Sequence, residues 1–403
     1  MLRLRFLVLV LVIVSLLTPT LHGQVDARDQ LAGQLNPIQT AVPFMIIAPD
    51  SRAGGMGDIG TGTSPDANSI HWNSAKYGFI ETDMAVSVSY TPWLRALVND
   101  INLAYLTGYK RLDRQQVIAG SLRYFSLGEI IFTDDFGEYQ GQHTPNEFAL
   151  AGSYARLFSD RFSGGITFKF IRSDLTGGTV TTSGGETKAG TAFAADISTY
   201  YQNDVDLGDK YGRLAFGLSI ANMGNPISYA DNQDADFLPT TLRLGSSLRI
   251  NMDDYNTMTF AADFSKLLIP SPPVYYDQGD TLPSGEIVVT GGEIIQSGLN
   301  PEVSVPLGML QSFYDAPGGF KEELNEFIFS LGAEYWYRNQ FAIRAGYFHE
   351  HENKGNRKYF TMGIGLQLNV FGLDFAYLMP TAGRTNPLAN TVRFTLSFNF
   401  DNM

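Results

Sequence analysis

The last strand-like segment of the chain alternates between apolar and polar residues over ten consecutive positions, Thr391 to Phe400. Alternate residues of a β-strand point to opposite faces, so one face of this segment is apolar and the other is polar. The apolar positions are Val392, Phe394, Leu396, Phe398 and Phe400. The polar positions are Thr391, Arg393, Thr395, Ser397 and Asn399. This pattern is typical of a strand with one face in lipid and the other in a water-filled lumen.

The same alternation recurs in about fourteen segments after Glu81, and an even number of antiparallel strands closes a bacterial outer-membrane barrel. We expect apolar rows such as Met84-Val86-Val88-Tyr90 and Ile101-Leu103-Tyr105 to face outward. A soluble β-sandwich also alternates, but its outward rows would carry more Lys and Glu than the polar rows here. The sequence therefore predicts an all-β fold, namely a transmembrane outer-membrane β-barrel of about 14 antiparallel strands.

The connections between these segments alternate between short and long. Arg338–Gln340 is a short one, whereas Gly128–Pro145 and Leu267–Asn325 are long. Outer-membrane barrels have short periplasmic turns and long extracellular loops, so the alternation predicts that both termini are periplasmic. The proline-rich stretch 267–325 is too long for a simple connection. We expect it to be either a folded cap over the pore or a docking surface for another protein.

The N-terminal eighty residues do not alternate and divide into two parts. Residues 1–23 have a basic start and an apolar core, Phe6 to Leu17, that is too short to span a membrane, which predicts a secretory signal peptide rather than an anchor. We expect cleavage after Gly23 or, as second choice, after Ala27. Residues 24–80 are rich in Pro and Gly and predict a periplasmic N-terminal extension and plug, which leaves 81–403 for the barrel.

Composition excludes some classes of partner. The formal net charge of −13 opposes nucleic-acid binding, because phosphate contacts need a basic surface. The chain has no cysteine, so the fold cannot depend on disulfides.

Several short motifs suggest chemistry but have simpler interpretations. Gly55–Gly60 matches G-x-G-x-x-G, yet proline-containing segments flank it instead of a strand and a helix. His349–Glu352 has two His but lacks a third spaced metal ligand. Asp231, Asp234 and Asp236 do not have the spacing of a calcium-binding EF-hand loop. We therefore predict no enzymatic activity, no metal site and no cofactor.

The most specific motif lies in the predicted plug, where glycines would permit close backbone packing inside a narrow lumen. Arg52 and Asp58 would bond to polar lumen rows, and Asn68 and Asn73 would cap turns. The motif is interpreted mainly as a structural plug and alternatively as a gate. Its candidate residues are Arg52, Gly54, Gly55, Gly57, Asp58, Gly60, Asn68, His71, Trp72 and Asn73.

The segments R-A-G-G-M-G-D-I-G (52–60) and D-A-N-S-I-H-W-N-S-A-K (66–76), followed by this barrel, resemble the PorV/PorQ family of FadL-like barrels. Chain length and the large loop favour the PorV branch. The resemblance implies an outer-membrane component of the Bacteroidetes type IX secretion system. Such proteins bind the C-terminal signal domain of cargo that leaves the SprA (Sov) translocon. They then shuttle the cargo to the PorU and PorZ attachment complex, where lipopolysaccharide is attached.

Two loops are the candidates for cargo binding under this resemblance, Met223 to Leu238 and Leu267 to Asn325, because they are long and mix polar with apolar residues. The alternative hypothesis is a FadL-like transporter of long-chain fatty acids or other hydrophobic solutes. The inward rows are mostly small and polar, which argues mildly against a hydrophobic lumen.

Overall fold

The structure is a computed structural model. It describes residues 35–94, 98, 100–133, 136–175, 177, 187–230, 235–381, 388 and 391–400. The predicted signal peptide, 1–23, and both expected cleavage positions lie outside these residues, as do Asp231 and Asp234 of the acidic loop.

Strands dominate the fold, and most of them belong to one sheet. In chain order they are β1 (Met84–Pro92), β2 (Asn102–Arg111), β3 (Gln116–Ser126), β4 (Ile130–Thr133), β5 (Tyr139–His143), β6 (Asn146–Ser159), β7 (Phe162–Asp174), β8 (Gly190–Asp206), β9 (Tyr211–Gly224), β10 (Thr241–Asn251), β11 (Asn256–Leu267), β12 (Val274–Tyr275), β13 (Ile295–Ser297), β14 (Ile328–Tyr337), β15 (Phe341–His349), β16 (Lys358–Leu368), β17 (Phe371–Pro380) and β18 (Val392–Phe400).

Fourteen of these strands form a closed antiparallel barrel. The barrel closes between its first and last strands, where Met84 of β1 lies opposite Phe400 of β18 and Tyr90 lies opposite Phe394. The other four strands form two small two-stranded sheets, β4 with β5 and β12 with β13. The predicted barrel of about fourteen antiparallel strands is confirmed.

Among the residues that the structure describes, helical structure is confined to short pieces. Before the barrel lie 3-10 turns at Pro43–Ile46 and Ser74–Phe79, with helices α1 (Ser51–Gly54) and α2 (Ser69–Trp72). Between β13 and β14 lie α3 (Val305–Gln311) and α4 (Phe320–Asn325). Of the helices in the described ranges, none is long and apolar enough to cross a membrane.

The outward rows of the barrel are apolar and exposed, in agreement with the alternation in sequence, except in β2. Leu103 and Tyr105 were expected to face outward with Ile101, but both are buried on the lumen side. Leu103 packs there in one cluster with Val42 and Phe44. Because the lumen is apolar at this place, β2 carries apolar residues on both faces, and alternation alone does not show which face is outside.

The connections of the barrel fall at two opposite rims, as antiparallel order requires. The short-turn rim consists of residues 112–115, 160–161, 207–210, 252–255, 338–340 and 369–370. The long-loop rim consists of the connections within 93–101, 127–145, 175–189, 225–240, 268–327, 350–357 and 381–391.

Candidate functional site

Residues 35–80, here called the lumen segment, run from one rim of the barrel to the other. At the long-loop rim, the amide of Ala41 donates a 2.9 Å hydrogen bond to the carbonyl of Phe237. At the short-turn rim, the segment leads into β1, which begins at Met84. On the way it is hydrogen-bonded to barrel strands on every side, namely β3, β7, β8, β10, β11, β14, β16 and β18.

Short polar side chains set the local turns of the lumen segment. Asp50 precedes α1 and accepts a 2.9 Å hydrogen bond from the amide of Ala53, which is the usual N-cap geometry. Its second oxygen accepts a 2.8 Å hydrogen bond from the indole nitrogen of Trp72. Asn73 caps the following 3-10 turn through the amide of Ala75. Asn68, also expected to cap, makes no side-chain cap bond in the described structure.

The motif glycines lie where backbones come very close together. Gly57 has a φ of 79°, and a Cβ there would lie 2.8 Å from the carbonyl oxygen of Tyr347 in the barrel wall. A Cβ on Gly60 would lie 2.2 Å from Trp72. Gly54 and Gly55 are held similarly close to Arg393 and Gly363, so a larger residue at these positions would displace the segment from the wall.

The barrel wall supplies matching glycines. A Cβ on Gly346 would lie 2.1 Å from the carbonyl carbon of Met56, and one on Gly217 would lie 2.1 Å from the carbonyl oxygen of Thr61. By contrast, a Cβ on Gly152 of β6 would meet nothing within 4 Å. The close fit is therefore specific to the places where the lumen segment touches the wall.

A buried charge network joins the segment to the wall through Arg52. Its guanidinium donates two hydrogen bonds to the carboxylate of Glu334 on β14, at 3.1 and 2.9 Å, and a third to Asp66 at 2.8 Å. Arg344 of β15 donates to the same Glu334 carboxylate at 2.7 Å and to Asp374. This fork geometry is the strongest form of an Arg–carboxylate pair.

Asp58 forms a second connection between the segment and the wall. Its carboxylate pairs with Arg393 of β18 and accepts a 2.6 Å hydrogen bond from the hydroxyl of Tyr359. Arg393, the charged residue on the polar face of β18, is thus paired with Asp58 of the plug motif. Arg52 and Asp58 both bond to lumen-facing side chains, as the sequence suggested for them.

His71 and Trp72 are buried next to each other, with ring centroids 4.6 Å apart. The Nδ1 atom of His71 lies 2.9 Å from a guanidinium nitrogen of Arg123. Its Nε2 has no hydrogen-bond partner in the described part of the chain. With a cation beside it and no carboxylate in contact, His71 packs as a neutral ring and not as a metal ligand.

The short motifs whose sequence was compared with metal sites make other contacts in the structure. His349 contacts the hydroxyl of Tyr347 at 3.2 Å, and His351 accepts a hydrogen bond from the amide of Asn353. Within the residues that the structure describes, no group of three or more His, Cys, Asp or Glu is arranged to hold a metal ion. The amide of Asp236 donates to the carbonyl of Ile227, and the amide of Ile227 donates to the carbonyl of Asp236, so the two residues form an isolated antiparallel bridge.

Several cavities remain beside the lumen segment. The largest of them, of about 340 Å³, opens towards the short-turn rim, and its lining mixes apolar and polar residues with charged ones such as Arg52, Arg213 and Asp374. A cavity of about 190 Å³ is lined by Arg52 and Glu334 among others. One of about 80 Å³ lies nearer the long-loop rim, between Trp72, Trp93 and Phe348 among others, and is the more apolar space.

The candidate loop Met223 to Leu238 turns into the barrel mouth. Ile227 and Leu238 are fully buried and pack with Val42 and Phe44 of the lumen segment. In its described residues, this loop contributes more to closing the mouth than to an outward surface.

A hairpin that projects from the long-loop rim was not predicted from the sequence. Strands β4 and β5 form a two-stranded hairpin in which every residue of β4 is exposed, including Ile131 and Phe132. The hairpin pairs only with itself among the described strands, so both of its outer edges are unpaired. The run Ile130-Ile131-Phe132 inside a predicted loop was the available signal, because three adjacent apolar residues have no place in a solvated connection.

Comparisons with known proteins place the sequence in one family. The family described as Type IX secretion system protein PorV matches residues 30–274, a range that holds the lumen segment and β1 to β11. A comparison with curated proteins gives no match.

Solved structures of similar shape include two toluene transporters and a FadL homologue, all with low sequence identity to this chain. The Pseudomonas putida toluene transporter TodX has a TM-score of 0.49 at 10% identity, covering 92% of this chain and 100% of its own. The Ralstonia pickettii toluene transporter TbuX has 0.45 at 10%, covering 87% and 98%. A Pseudomonas aeruginosa FadL homologue has 0.41 at 11%, covering 91% and 99%. Scores this low carry no function from one barrel to another.

Proposed function

Because this chain belongs to the family of the type IX secretion system protein PorV, we propose that it is an outer-membrane component of that system. In this role it binds the C-terminal signal domain of cargo that leaves the SprA translocon. It then passes the cargo to the PorU and PorZ attachment complex, where lipopolysaccharide is added. The long-loop rim faces the cell exterior, and the short-turn rim faces the periplasm.

In this orientation, the first and last described residues of the chain lie at opposite rims of the barrel. Phe400 ends β18 at the short-turn rim, so the proposal puts the end of this strand on the periplasmic side. Residues 36–41, however, contact loops of the long-loop rim: Asn36 donates a 3.1 Å hydrogen bond to the carbonyl of Pro272. The part of the predicted periplasmic extension that the structure describes therefore lies at the exterior rim and inside the lumen.

A binding role, as opposed to a conducting one, is supported by the filled lumen. The segment touches the wall on all sides, and the cavities beside it measure about 340, 190 and 80 Å³, far less than a folded domain needs. Transport of long-chain fatty acids has less support, since several charged side chains contribute to the lining of the largest of these cavities.

The observation that carries the proposal is the exposed hairpin of β4 and β5. An unpaired strand edge with exposed apolar side chains can add a strand from another protein, and main-chain hydrogen bonds then supply affinity. A β-sandwich signal domain offers such a strand. We therefore place the first cargo contact at Ile130–His143 and not in the mouth-closing loop Met223 to Leu238.

The test measures binding of a recombinant cargo signal domain to the full-length protein in lipid vesicles. Ile131→Glu puts a charge on the hairpin, where the side chain is 60% exposed, and should weaken binding about tenfold. Leu112→Glu is the matched control, because Leu112 is 53% exposed but lies at the short-turn rim. Equal affinity of the two variants, or no binding by the unaltered protein, would contradict the proposal.

A further inference from the structure

The helical part of the long loop has its polar residues inside and its apolar residues outside. Residues 305–325, here called the rim bracket, comprise α3, α4 and the turn between them. Its exposed side chains include Leu307, Leu310, Phe313, Tyr314, Phe320 and Leu324. Its buried side chains include Gln311, Ser312, Asp315, Glu322 and Glu323. A helix at a water-exposed surface has the reverse arrangement.

The buried side of the bracket is tied down by ion pairs, so its orientation is fixed. Lys266, at the end of β11, is 1% exposed and pairs with Glu323 at 3.2 Å and with Glu326. Lys354, from the connection after β15, pairs with Glu322 and, at 2.9 Å, with the same Glu326. Turning the apolar side chains inward would leave these buried charges without partners, which is strongly unfavourable.

The register of β11 places the bracket against the outer face of the barrel wall. Lys266 is two residues beyond Phe264 and therefore on the same face, and Phe264 is exposed on the apolar outside of the barrel. The ammonium of Lys266 lies 5.5 Å from the ring centroid of Phe327 and 5.8 Å from that of Phe313. A strand rises by about 3.3 Å per residue, so Lys266 lies only about 7 Å along β11 from Phe264. The bracket that binds Lys266 is therefore next to the apolar belt of the barrel.

We propose that the rim bracket lies in the lipid interface of the outer leaflet, with its exposed face inserted among acyl chains. This inference rests on the membrane placement given under the proposed function. Lipid is the occupant because the exposed face continues the apolar belt of the wall. Its mixture of Leu, Phe and Tyr is also that of segments at a membrane boundary, where aromatic rings collect. The bracket then anchors the long loop at the lipid boundary. The hairpin of β4 and β5 remains the proposed cargo-binding element.

The absence of cysteine from the sequence permits a clean labelling experiment. Single variants Leu310→Cys and Phe320→Cys, at positions 66% and 77% exposed, receive a nitroxide in lipid vesicles. Paramagnetic resonance then compares collisions with lipid-soluble oxygen and with a water-soluble nickel chelate. Phe168→Cys marks the barrel belt, and Val289→Cys, at 79% exposed, marks the same long loop outside the bracket.

The expected result is that labels at 310 and 320 collide preferentially with oxygen, as the label at 168 does, whereas the label at 289 collides with the nickel chelate. Labels at 310 and 320 that behave like 289 overturn the inference while leaving the barrel in the membrane. A water-accessible label at 168 overturns the membrane placement itself. Labels that become shielded only when a cargo signal domain is added would assign the bracket to a protein partner instead of to lipid.

Discussion

The lumen and the long-loop rim each contain a buried network of charged side chains, and the two networks use different cations. In the lumen, Arg52 and Arg344 share the carboxylate of Glu334 through planar guanidinium groups. At the rim, Lys266 and Lys354 are point charges that share Glu326. Both networks connect segments that are far apart in sequence.

The balance of charge also differs between them. The rim has two lysines for four buried carboxyl groups, namely Asp315, Glu322, Glu323 and Glu326. One oxygen of Asp315 has no hydrogen-bond partner among the described residues. Arg cannot lose its proton in the accessible pH range, so the arginine pairs of the lumen hold their geometry at any physiological pH. The rim, with carboxyl groups in excess, is the part that pH can loosen.

The largest effect is expected when the lumen network is broken. Glu334→Ala removes the shared carboxylate and leaves two buried guanidinium groups incompletely paired, which should lower the free energy of unfolding by about 3 kcal/mol. Urea unfolding from lipid vesicles measures this. The control is Asp204→Ala, which breaks the exposed pair with Arg213 and should cost under about 1 kcal/mol. Similar losses for both variants would mean that the lumen network contributes no more than a surface pair.

A smaller effect is expected from enlarging the wall where it touches the lumen segment. Gly346→Ala places a Cβ 2.1 Å from the carbonyl carbon of Met56, and overpacking of this kind costs roughly 1–3 kcal/mol. Displacement of the segment should make residues 50–60 more sensitive to an added protease. Gly152→Ala, where a Cβ meets nothing within 4 Å, is the control and should leave cleavage unchanged. Unchanged cleavage of the Gly346 variant would show that the segment is not held by this contact.

Alternation was sufficient to predict the barrel because lipid and lumen impose opposite chemistry on the two faces of a strand. It failed at β2, where Tyr105 and Leu103 meet an apolar part of the lumen segment and both faces of the strand are apolar. The sequence motif also indicated that Arg52 and Asp58 bond to the wall. It did not indicate their partners, Glu334 and Arg393, because these lie more than two hundred residues away.

The rim bracket and the hairpin were less predictable for a different reason. Lys266, Glu322 and Glu323 look like ordinary solvated charges, and only the fold brings them together under an apolar surface. The hairpin of β4 and β5 lies in a connection whose length was predicted from the sequence but whose strands were not. In both cases the information lies in contacts between distant loops, which local periodicity does not contain.

The smallest expected effect is a pH dependence confined to the rim bracket. Burial, together with the nearby carboxylates of Glu323 and Glu326, raises the pKa of Asp315 from 3.8 to about 7; burial also raises the pKa of Glu323. A raised pKa means that the folded bracket binds a proton that the opened bracket releases. The contribution of Asp315 to the stability of the bracket is therefore full below about pH 4 and is lost as the pH rises through 7.

Hydrogen exchange of residues 305–325, corrected for intrinsic rates, should therefore show several-fold more opening at pH 8 than at pH 5. In the unaltered protein, the amide of Ser271 donates a 3.1 Å hydrogen bond to Asp315. Asp315→Asn keeps an acceptor for this amide but cannot titrate, so it should remove most of the pH dependence. The amides of β14 around Glu334 should exchange equally at both values, because the guanidinium groups of Arg52 and Arg344 that bind this carboxylate do not titrate there. If hydrogen exchange changed equally with pH in the lumen and at the rim, the two networks would not differ in pH sensitivity. The excess of carboxyl groups at the rim would then not explain its behaviour.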